Sequence, residues 1–280
     1  MKRDVMRLTA PVCSVFNFRA SRVQQRSGTA SPIPPVLLLA LLVLIPGPDS
    51  VARADLLDGL QLHVEFEDNV FDSSPNGFDG QSSGDLQYAP GVIGQAASFD
   101  GINDDVLFPS FTDALIGQND FTLAYWFNIP SGTLRSVLGK RRICALDPFI
   151  DIRMGAARTM SLEVSTVAGN YFIGTPPVDS GWHHVAFTRA GTDLQAFLNG
   201  QLVKQMTIAA ALDFSNTTAL GLSSSPCIDS TDGTKMLMGG IDDLRIYNRV
   251  LTDFEIATLG GLFSDGFESS DTSAWSNTVQ

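Results

Sequence analysis

The sequence predicts an all-β fold, a sandwich of two sheets or a jelly roll, with one short helix near the C-terminus. Many short segments alternate apolar and polar residues with a period of two, and Gly, Pro or Ser separates most of them. Helical periodicity is almost absent from the same region. Many short strands with little helix are typical of a sandwich or a jelly roll.

The first predicted strand lies at residues 60–66, where LQLHVEF alternates apolar and polar side chains. The segment FTLAYWFNI at 121–129 is apolar on both faces, as expected of a central strand. Further strands are predicted at SVLGKR, FIDIRM, SLEVST, NYFIGT, WHHVAFTRA and DLQAFL. Asn199-Gly200 predicts a two-residue hairpin turn, because both turn positions need a positive φ.

A single helix is predicted after the last strand. Thr252 and Glu255 have the spacing of a capping box, in which each side chain bonds the backbone N–H of the other residue. Gly260-Gly261 supplies the C-terminal stop. We expect this helix to cover one end of a sheet.

Residues 1–54 are predicted to be a signal peptide with a long n-region. Basic residues precede the apolar run VLLLALLVLI at 36–45, and Ala52-Arg53-Ala54 has the pattern of a cleavage site. This run is too short to cross a bilayer; an uncleaved N-terminal anchor is the alternative. Residues 55–261 then form the folded domain, and residues 262–280 form an acidic low-complexity tail that should not fold alone.

The charge balance argues against two classes of partner. The first 54 residues hold seven of the 18 basic and two of the 30 acidic residues, so the remainder carries 11 bases against 28 acids. Nucleic acids and anionic membrane surfaces are bound by clustered bases. No second apolar run approaches membrane-spanning length, so we expect neither nucleic acid binding nor membrane insertion of the mature chain.

Two cysteines follow the predicted leader, Cys144 and Cys227. In an exported protein they are an even pair in an oxidising compartment, which favours a disulfide. Two buried free thiols are the alternative. Neither cysteine has a nearby Cys or His, so a zinc knuckle is excluded.

Four motifs follow one another along the chain: FDSSPNGFDG at 71–80, AASFDGINDDVLFP at 96–109, GWHHVAFTRAGTDLQAFLNGQLV at 181–203 and GGIDDLRIYNRVLTDFEI at 239–256. Together they resemble the laminin-G-like, concanavalin A-like jelly rolls of bacterial secreted proteins. The resemblance covers residues 56–261 and implies a jelly-roll sandwich. It also implies the Cys144–Cys227 pairing, because the residues around both cysteines match. The tail is similar to short segments that end other exported bacterial proteins.

The same resemblance implies a structural calcium ion at the rim of the sandwich. Its ligands would be Asp72 and Asn76 from the early loop, with Asp242 or Asp243 from the last motif. Calcium takes six to eight oxygen ligands, which loops distant in sequence can supply together. The alternative is that these residues only form turns, since Asp and Asn readily bond their own backbone.

The sequence does not predict an enzyme. The Glu-x-Asp-x-x-Glu strand of laminarinase-type glycosidases and the Gly-x-Ser-x-Gly elbow are both absent. The three histidines predict no catalytic triad. Glu65 and Glu67 share a strand face, but a solvated face is the preferred interpretation.

We therefore predict a secreted, non-catalytic binding module whose ligand is a carbohydrate. Sugars would stack on aromatic rings beside polar loops, and the candidate rings are Trp126, Tyr171 and Tyr247. For Trp126, a place in the core is the alternative. The alternative function is a cell-surface adhesion or protein-interaction module. Either function implies an extracellular, periplasmic or cell-surface location, with a glycan or a cell-surface protein as partner.

Overall fold

The structure is a computed structural model. The residues that it describes are 55–112, 116–130, 132–166, 169–209 and 212–261. They belong to one compact unit, Val51–Gln280. The predicted signal peptide (1–54) and the predicted tail (262–280) lie outside the described residues, so both stay predictions.

The described residues form mainly antiparallel strands, followed by a short helix. The strands are β1 (Leu60–Val64), β2 (Gln81–Ser83), β3 (Gln87–Pro90), β4 (Gln95–Asp100), β5 (Asp105–Phe108), β6 (Phe121–Asn128), β7 (Arg135–Lys140), β8 (Phe149–Met154), β9 (Met160–Thr166), β10 (Gly169–Gly174), β11 (His183–Ala190), β12 (Asp193–Leu198), β13 (Gln201–Thr207), β14 (Leu220–Leu222) and β15 (Met238–Tyr247), and the helix is α1 (Asp253–Leu259). The predicted all-β fold class is confirmed. Within the described parts of the chain, no helix is long and apolar enough to span a membrane.

The strands form two sheets. The eight-stranded sheet has the order β13-β12-β11-β6-β15-β4-β3, with β1 paired to β15 beside β4, and the seven-stranded sheet has the order β10-β9-β8-β7-β14-β5-β2. Alternate side chains of both sheets meet in one large core, as Leu123 and Tyr125 of β6 and Ile150 and Ile152 of β8 illustrate. Since each strand has a period of two, the intervening side chains point away from that core.

Strand β15 changes partner along its length. Its first half pairs with β4 and its second half with β1, while β6 lies on its other side. The change occurs at a β-bulge after Asp242, where one extra residue enters β15 and Asp243 has a φ of 49°. A bulge re-aims side chains and bends the strand. The two adjacent aspartates thus lie at the point where the first and last parts of the domain meet.

Helix α1 covers one end of the eight-stranded sheet. The predicted capping box is confirmed: Thr252 accepts a hydrogen bond from the backbone N of Glu255, and Glu255 accepts one from the backbone N of Thr252. Under the helix, Ile256 packs with Tyr247 and Ala124 in a second, smaller core. The outer face of the seven-stranded sheet is separate from this helix-covered surface.

Candidate functional site

A row of directly paired residues crosses the seven-stranded sheet, with one residue from each strand. From β10 to β2 it consists of Phe172, Glu163, Asp151, Gly139, Gly221, Leu107 and Gln81. Directly paired residues lie on the same face of a sheet. Their neighbours along β8 and β9 are in the large core, so this cross-sheet row lies on the outer face.

Two adjacent glycines form the lowest part of the cross-sheet row. A Cβ atom on Gly139 would lie 2.9 Å from Oδ1 of Asp151, and one on Gly221 would lie 2.4 Å from Oγ of Ser224. Both distances are shorter than a normal contact, so the surroundings of these two positions leave no room for a side chain. The result is a trough between the side chains of Asp151 and Leu107.

A cleft of about 380 Å³ lies over the trough. Two loops form its walls, residues 141–148 between β7 and β8, and residues 223–237 between β14 and β15. The residues that the cleft contacts include Leu107, Gly139, Arg141, Asp151, Ser225 and Pro226. The surface of the cleft therefore combines apolar and hydrogen-bonding groups.

A disulfide joins the two walls of the cleft. Cys144 of the first loop is bonded to Cys227 of the second, and their Cα atoms are 4.9 Å apart. The predicted pairing is confirmed, and the alternative of two free thiols is wrong. Because cleft residues lie on both loops, the bond restricts how far the walls can separate.

A network of charges extends from the cleft along the outer face, largely buried but with Asp232 at its exposed end. Nη1 of Arg141 lies 3.2 Å from Oδ2 of Asp151 and 3.5 Å from Oε2 of Glu163. Arg153 is also bonded to Glu163, and its Nη1 lies 3.1 Å from Oδ2 of Asp232. Two guanidinium groups thus bridge three carboxylates.

The carboxylate of Asp151 is fully buried and has donors on only one of its oxygens. Oδ2 is approached by Arg141 at 3.2 Å, by Oγ of Ser225 at 3.4 Å and by Nε of Arg153 at 3.7 Å. Oδ1 has no hydrogen-bond partner. Burial raises the pKa of Asp151 to about 6, although the charges of Arg153 and Arg141 act to lower it.

The predicted calcium ligands Asp72 and Asn76 organise the loop after β1. Oδ1 of Asp72 accepts a hydrogen bond from the backbone N of His63 at 2.9 Å, and Oδ2 accepts one from the backbone N of Phe78 at 2.7 Å. Nδ2 of Asn76 donates to two carbonyl oxygens of β1, each at 3.1 Å. Oδ1 of Asp72 also accepts a local hydrogen bond from the backbone N of Ser74 at 2.9 Å, as turn-forming residues do. The contacts with β1 fix the loop to that strand.

Asp242 binds the loop between β3 and β4. Its Oδ2 accepts hydrogen bonds from the backbone N of Val92 at 2.7 Å and of Ile93 at 3.0 Å. Oδ1 is buried without a hydrogen-bond partner, and burial raises the pKa of this carboxyl. Asp242 thereby fixes the loop between β3 and β4 to the bulge of β15.

Asp243 belongs to a hydrogen-bonded chain that the sequence did not predict. Oδ1 of Asp243 is 2.7 Å from Nε2 of His63, whose Nδ1 is 2.9 Å from Oγ of Ser73. The prediction that the histidines form no catalytic triad stays a prediction, but the hydrogen-bonded contacts of His63 were not anticipated. The backbone N of Ser73 donates to His63 and that of Ser74 donates to Asp72, so neither serves as an oxyanion donor. These hydrogen bonds connect the loop after β1 to strand β15.

Within the described ranges, one group of three His, Cys, Asp or Glu side chains has its ligand atoms within 4.8 Å of one another. It consists of Cys144, Cys227 and Asp232, and both sulfur atoms belong to the disulfide. The residues predicted to bind calcium are not in this group. Their role as calcium ligands stays a prediction.

The three predicted stacking residues lie in different environments. Trp126 is partly exposed on the outer face of the eight-stranded sheet, with its ring centroid 5.3 Å from that of His184. Tyr171 is partly buried against the large core. Tyr247 is fully buried under α1; its ring has no open face for a sugar, so that prediction is wrong. Phe172, next to Tyr171, is 54% exposed at the end of the cross-sheet row.

Sequence reasoning missed the cleft, although part of its signal was present. FIDIRM and SLEVST carry Asp151, Arg153 and Glu163 at alternate positions between core residues. Charged side chains on the outer face of central strands are costly to bury unless they are paired or hydrogen-bonded. That pattern could have drawn attention to this sheet before the structure was known.

The solved structures with a similar fold include a domain of an arabinanase and the binding domains of two toxins. Domain 4 of AbnA, an extracellular arabinanase from Geobacillus stearothermophilus solved in complex with arabinotriose, is 21% identical with a TM-score of 0.56, over 72% of this chain and 98% of that domain. The binding domain of Paraclostridial Mosquitocidal Protein 1 is 15% identical with a TM-score of 0.62, over 74% of this chain and 53% of that domain.

A third similar structure is the binding domain of botulinum neurotoxin DC in complex with rat synaptotagmin II. It is 13% identical with a TM-score of 0.58, over 75% of this chain and 53% of that domain. The chain thus spans about half the length of the two toxin binding domains. At these identities the similarity concerns the fold. No curated protein sequence gave a significant match.

The family assignment rests on the sequence itself. Residues 99–257, more than half of the 280-residue chain, match a laminin-G-type family model. The matched region runs from the end of β4 into helix α1 and includes both walls of the cleft. The chain belongs to the family described as the concanavalin A-like lectin/glucanases superfamily.

Proposed function

We propose that the protein is an exported, non-catalytic carbohydrate-binding module, and that the cleft over the cross-sheet row is its ligand site. The observation that carries the proposal is the row itself. It combines an exposed aromatic ring, Phe172, with the buried charged groups of Asp151 and Glu163 and with Gly139, which lines the cleft. A few fixed polar groups among apolar surfaces are typical of small-ligand sites.

The length of the row fits a chain of sugars better than a single one. Five strand spacings separate Phe172 on β10 from Leu107 on β5, which gives about 24 Å at the usual spacing of strands. Hydroxyl-rich ligands need both donors and acceptors, and the residues that line the cleft include guanidinium N–H donors and Ser and Thr hydroxyl groups, which both donate and accept. An oligosaccharide lying across the strands would contact all of them.

Binding fits these carboxylates better than hydrolysis does. Asp151 and Glu163 are direct cross-strand partners, and glycosidases also use two neighbouring carboxyl groups. Here, however, both carboxylates share the same two arginines, Arg141 and Arg153. An ion-paired carboxylate is poorly placed to attack a sugar or to protonate a leaving group, whereas a fixed ionic network suits recognition.

Phe172→Ala should weaken oligosaccharide binding by about five-fold, because an aromatic stacking contact contributes about 1 kcal/mol. Affinity electrophoresis followed by calorimetry on the best ligand of a broad glycan array would measure the change. Phe254→Ala is the matched control, since Phe254 is 56% exposed but lies on α1.

The same experiment can contradict this site. If Trp126→Ala abolishes glycan binding while Phe172→Ala leaves it unchanged, the ligand lies on the eight-stranded sheet. If Phe172→Ala, Trp126→Ala and the control Phe254→Ala all leave the affinity for glycan unchanged, stacking plays no part in binding.

A protein-binding or adhesion function is the alternative, and one observation favours it. The first wall of the cleft exposes two aliphatic side chains, Leu146 at 78% and Ile143 at 39%. Exposed apolar groups beside a cleft are common in protein interfaces. Absence of binding across the glycan array, together with saturable binding to cells that Leu146→Ser removes, would support this alternative.

The proposal places the protein outside the cytoplasm, secreted or at the cell surface. The disulfide between Cys144 and Cys227 is the feature that supports this, because such bonds persist in oxidising compartments. The leader at residues 1–54, with its apolar run and cleavage pattern, would provide the route of export.

We also propose a structural calcium ion at the rim that contains Asp72 and Asn76, with Asp242 or Asp243 as the ligand from the last motif. A ligand that binds only the folded state, at a hundred times its dissociation constant, stabilises that state by about 2.7 kcal/mol. The melting temperature should therefore rise with calcium and fall with chelator, while magnesium should substitute poorly. Equal melting temperatures in calcium and chelator, with no ion detected by metal analysis, would assign these aspartates to turns alone.

A further inference from the structure

We infer that the protein has a second glycan site, a groove on the outer face of the eight-stranded sheet that binds a short neutral sugar against the indole ring of Trp182. This Trp182 groove shares no lining residue with the cleft on the seven-stranded sheet. The two sites lie on opposite outer faces of the sandwich, so the inference goes beyond the function proposed for the cleft. A domain with two such sites can contact two glycan chains at once.

The Trp182 groove follows a second row of directly paired residues. Asn128 of β6 pairs with Gly240 of β15, which pairs with Ser98 of β4. The neighbouring residues Phe127 and Ile241 are in the large core, so the row faces outward. The volume over it is about 300 Å³. This value is at the small end of the range for small-ligand sites, which fits a short sugar better than a long chain.

Helix α1 leaves this part of the sheet open. The helix lies over the part of the same face that contains Ala124 and Tyr247, and both of these residues are buried. Asn128, Ser98 and Trp182 are all partly exposed. The Trp182 groove is therefore accessible from outside the domain.

A pair of glycines near the start of β15 lets the indole ring lie against the sheet. A Cβ atom on Gly240 would lie 2.7 Å from Cη2 and 3.1 Å from Cζ2 of Trp182, and one on Gly239 would lie 2.4 Å from the backbone O of Asn128. A larger residue at position 240 would displace the ring. Packing on Gly240 thus holds the ring as one wall of the groove, and a wall held in place loses little freedom when a ligand stacks on it.

The polar groups beside this wall are free to bind a ligand. In the described part of the chain, nothing is hydrogen-bonded to the side-chain amide of Asn128, to the hydroxyl group of Ser98 or to Nε1 of Trp182. None of these atoms is among the buried polar atoms without a partner, so solvent has access to them. Together they offer donors and acceptors, and a hydroxyl-rich ligand can replace the solvent without leaving a polar group unpaired.

The lining favours a neutral ligand with an apolar face. None of the described residues that line the groove is charged, and its apolar residues include Trp182, Ala89, Pro90, Ala96 and Pro130. A charged ligand would lose hydration here without gaining a counter-ion. A pyranose sugar has C–H groups on its faces and hydroxyl groups around its rim, which suits an aromatic wall beside an amide and a hydroxyl group.

The indole N–H signals test the site directly, because the chain has three tryptophans, Trp126, Trp182 and Trp275. The full exported chain would be titrated with the neutral disaccharides cellobiose, maltose and lactose and followed by nitrogen–proton correlation spectra. At least one disaccharide should shift the signal of Trp182 saturably, and Trp182→Phe assigns that signal. The signal of Trp126 should move little, since its Nε1 is buried.

Ala89→Arg blocks the groove without changing the core. Ala89 is partly exposed on β3, an end strand of its sheet, so the longer side chain should fill the groove and the fold should be kept. The saturable shift of Trp182 should disappear in this variant. Asn128→Ala should weaken disaccharide binding by about five-fold, the value of a typical hydrogen bond. Gln205→Arg, exposed on the opposite end strand β13, is the matched control.

Phe172→Ala separates the second site from the cleft. It should weaken the binding of a long oligosaccharide and leave the disaccharide titration of Trp182 unchanged. If no disaccharide shifts the Trp182 signal, the second site is overturned and the cleft is unaffected. If Trp182 responds but Phe172→Ala does not weaken oligosaccharide binding, the second site is supported and the cleft is overturned. A larger Trp182 shift with a polyproline peptide than with any disaccharide, or a shift that persists in Ala89→Arg, would overturn the assignment of this groove to sugars.

Discussion

Loss of the Cys144–Cys227 disulfide is expected to lower the free energy of unfolding by about 4.5 kcal/mol. The bond closes a loop with a sequence separation of 83 residues, and the chain-entropy model gives this magnitude for such a loop. A typical domain has only about 5–15 kcal/mol of stability. Urea denaturation of the oxidised protein and of the Cys144→Ser, Cys227→Ser double variant would measure the difference.

The same variant should also lose affinity for ligand, because the bond holds the two walls of the cleft together. Ser230→Ala is a suitable control: its hydroxyl oxygen lies 3.6 Å from Sγ of Cys144, but it closes no loop. If the double variant unfolds at the same urea concentration as the oxidised protein, the denatured chain is already compact and the entropic estimate does not apply.

The parts of the fold that depend on local sequence could be predicted. The Asn199-Gly200 turn has positive φ at both residues, 48° and 75°, as the hairpin rule requires. The capping box at Thr252 and Glu255 is formed as expected. In each case the determining contacts lie within a few residues of one another, so the chain itself contains the information.

The cleft could not be predicted in the same way, because it depends on the register of strands that are distant in sequence. Gly139 and Gly221 face each other across β7 and β14, and nothing near either glycine specifies the other. The prediction of the stacking residues was equally sensitive to the position of each aromatic residue along its strand. Tyr171 faces the core and Phe172 faces outward, since a shift of one residue changes the face of a strand.

The sequence allows two interpretations of the adjacent aspartates, Asp242 and Asp243: turn formers or calcium ligands. Their positions explain why local reasoning could not decide. Asp242 binds a loop 150 residues earlier in the chain, and Asp243 binds a histidine 180 residues earlier. Both act through contacts that only the assembled sheet creates. Their hydrogen bonds are therefore defined by the fold.

Asp243→Ala is expected to destabilise the domain by about 3 kcal/mol, the usual cost of removing one partner from a buried ion pair. Asp243 accepts hydrogen bonds from Nε2 of His63 at 2.7 Å and from Nε and Nη2 of Arg245, each at 3.0 Å from its nearer oxygen. Without the carboxylate, the guanidinium group of Arg245 would remain largely buried without its anion. Thermal or urea unfolding of the variant would measure the loss.

Asp243→Asn separates the charge of this residue from its backbone role. Asn tolerates the left-handed conformation that φ of 49° requires, so the bulge should persist while the ion pair is lost.

Burial acts to raise the pKa of Asp243, but the hydrogen bond from His63 and the charge of Arg245 outweigh it, so the pKa lies below its ordinary value of 3.8. The carboxylate therefore stabilises the fold above pH 3.8, and this contribution is lost as the pH falls through the lowered pKa. The difference in stability between the unmodified protein and Asp243→Asn should be constant near neutral pH and should disappear in strong acid. A difference that persists unchanged at pH 2 would show that the side chain stabilises the bulge through its shape and not through its charge.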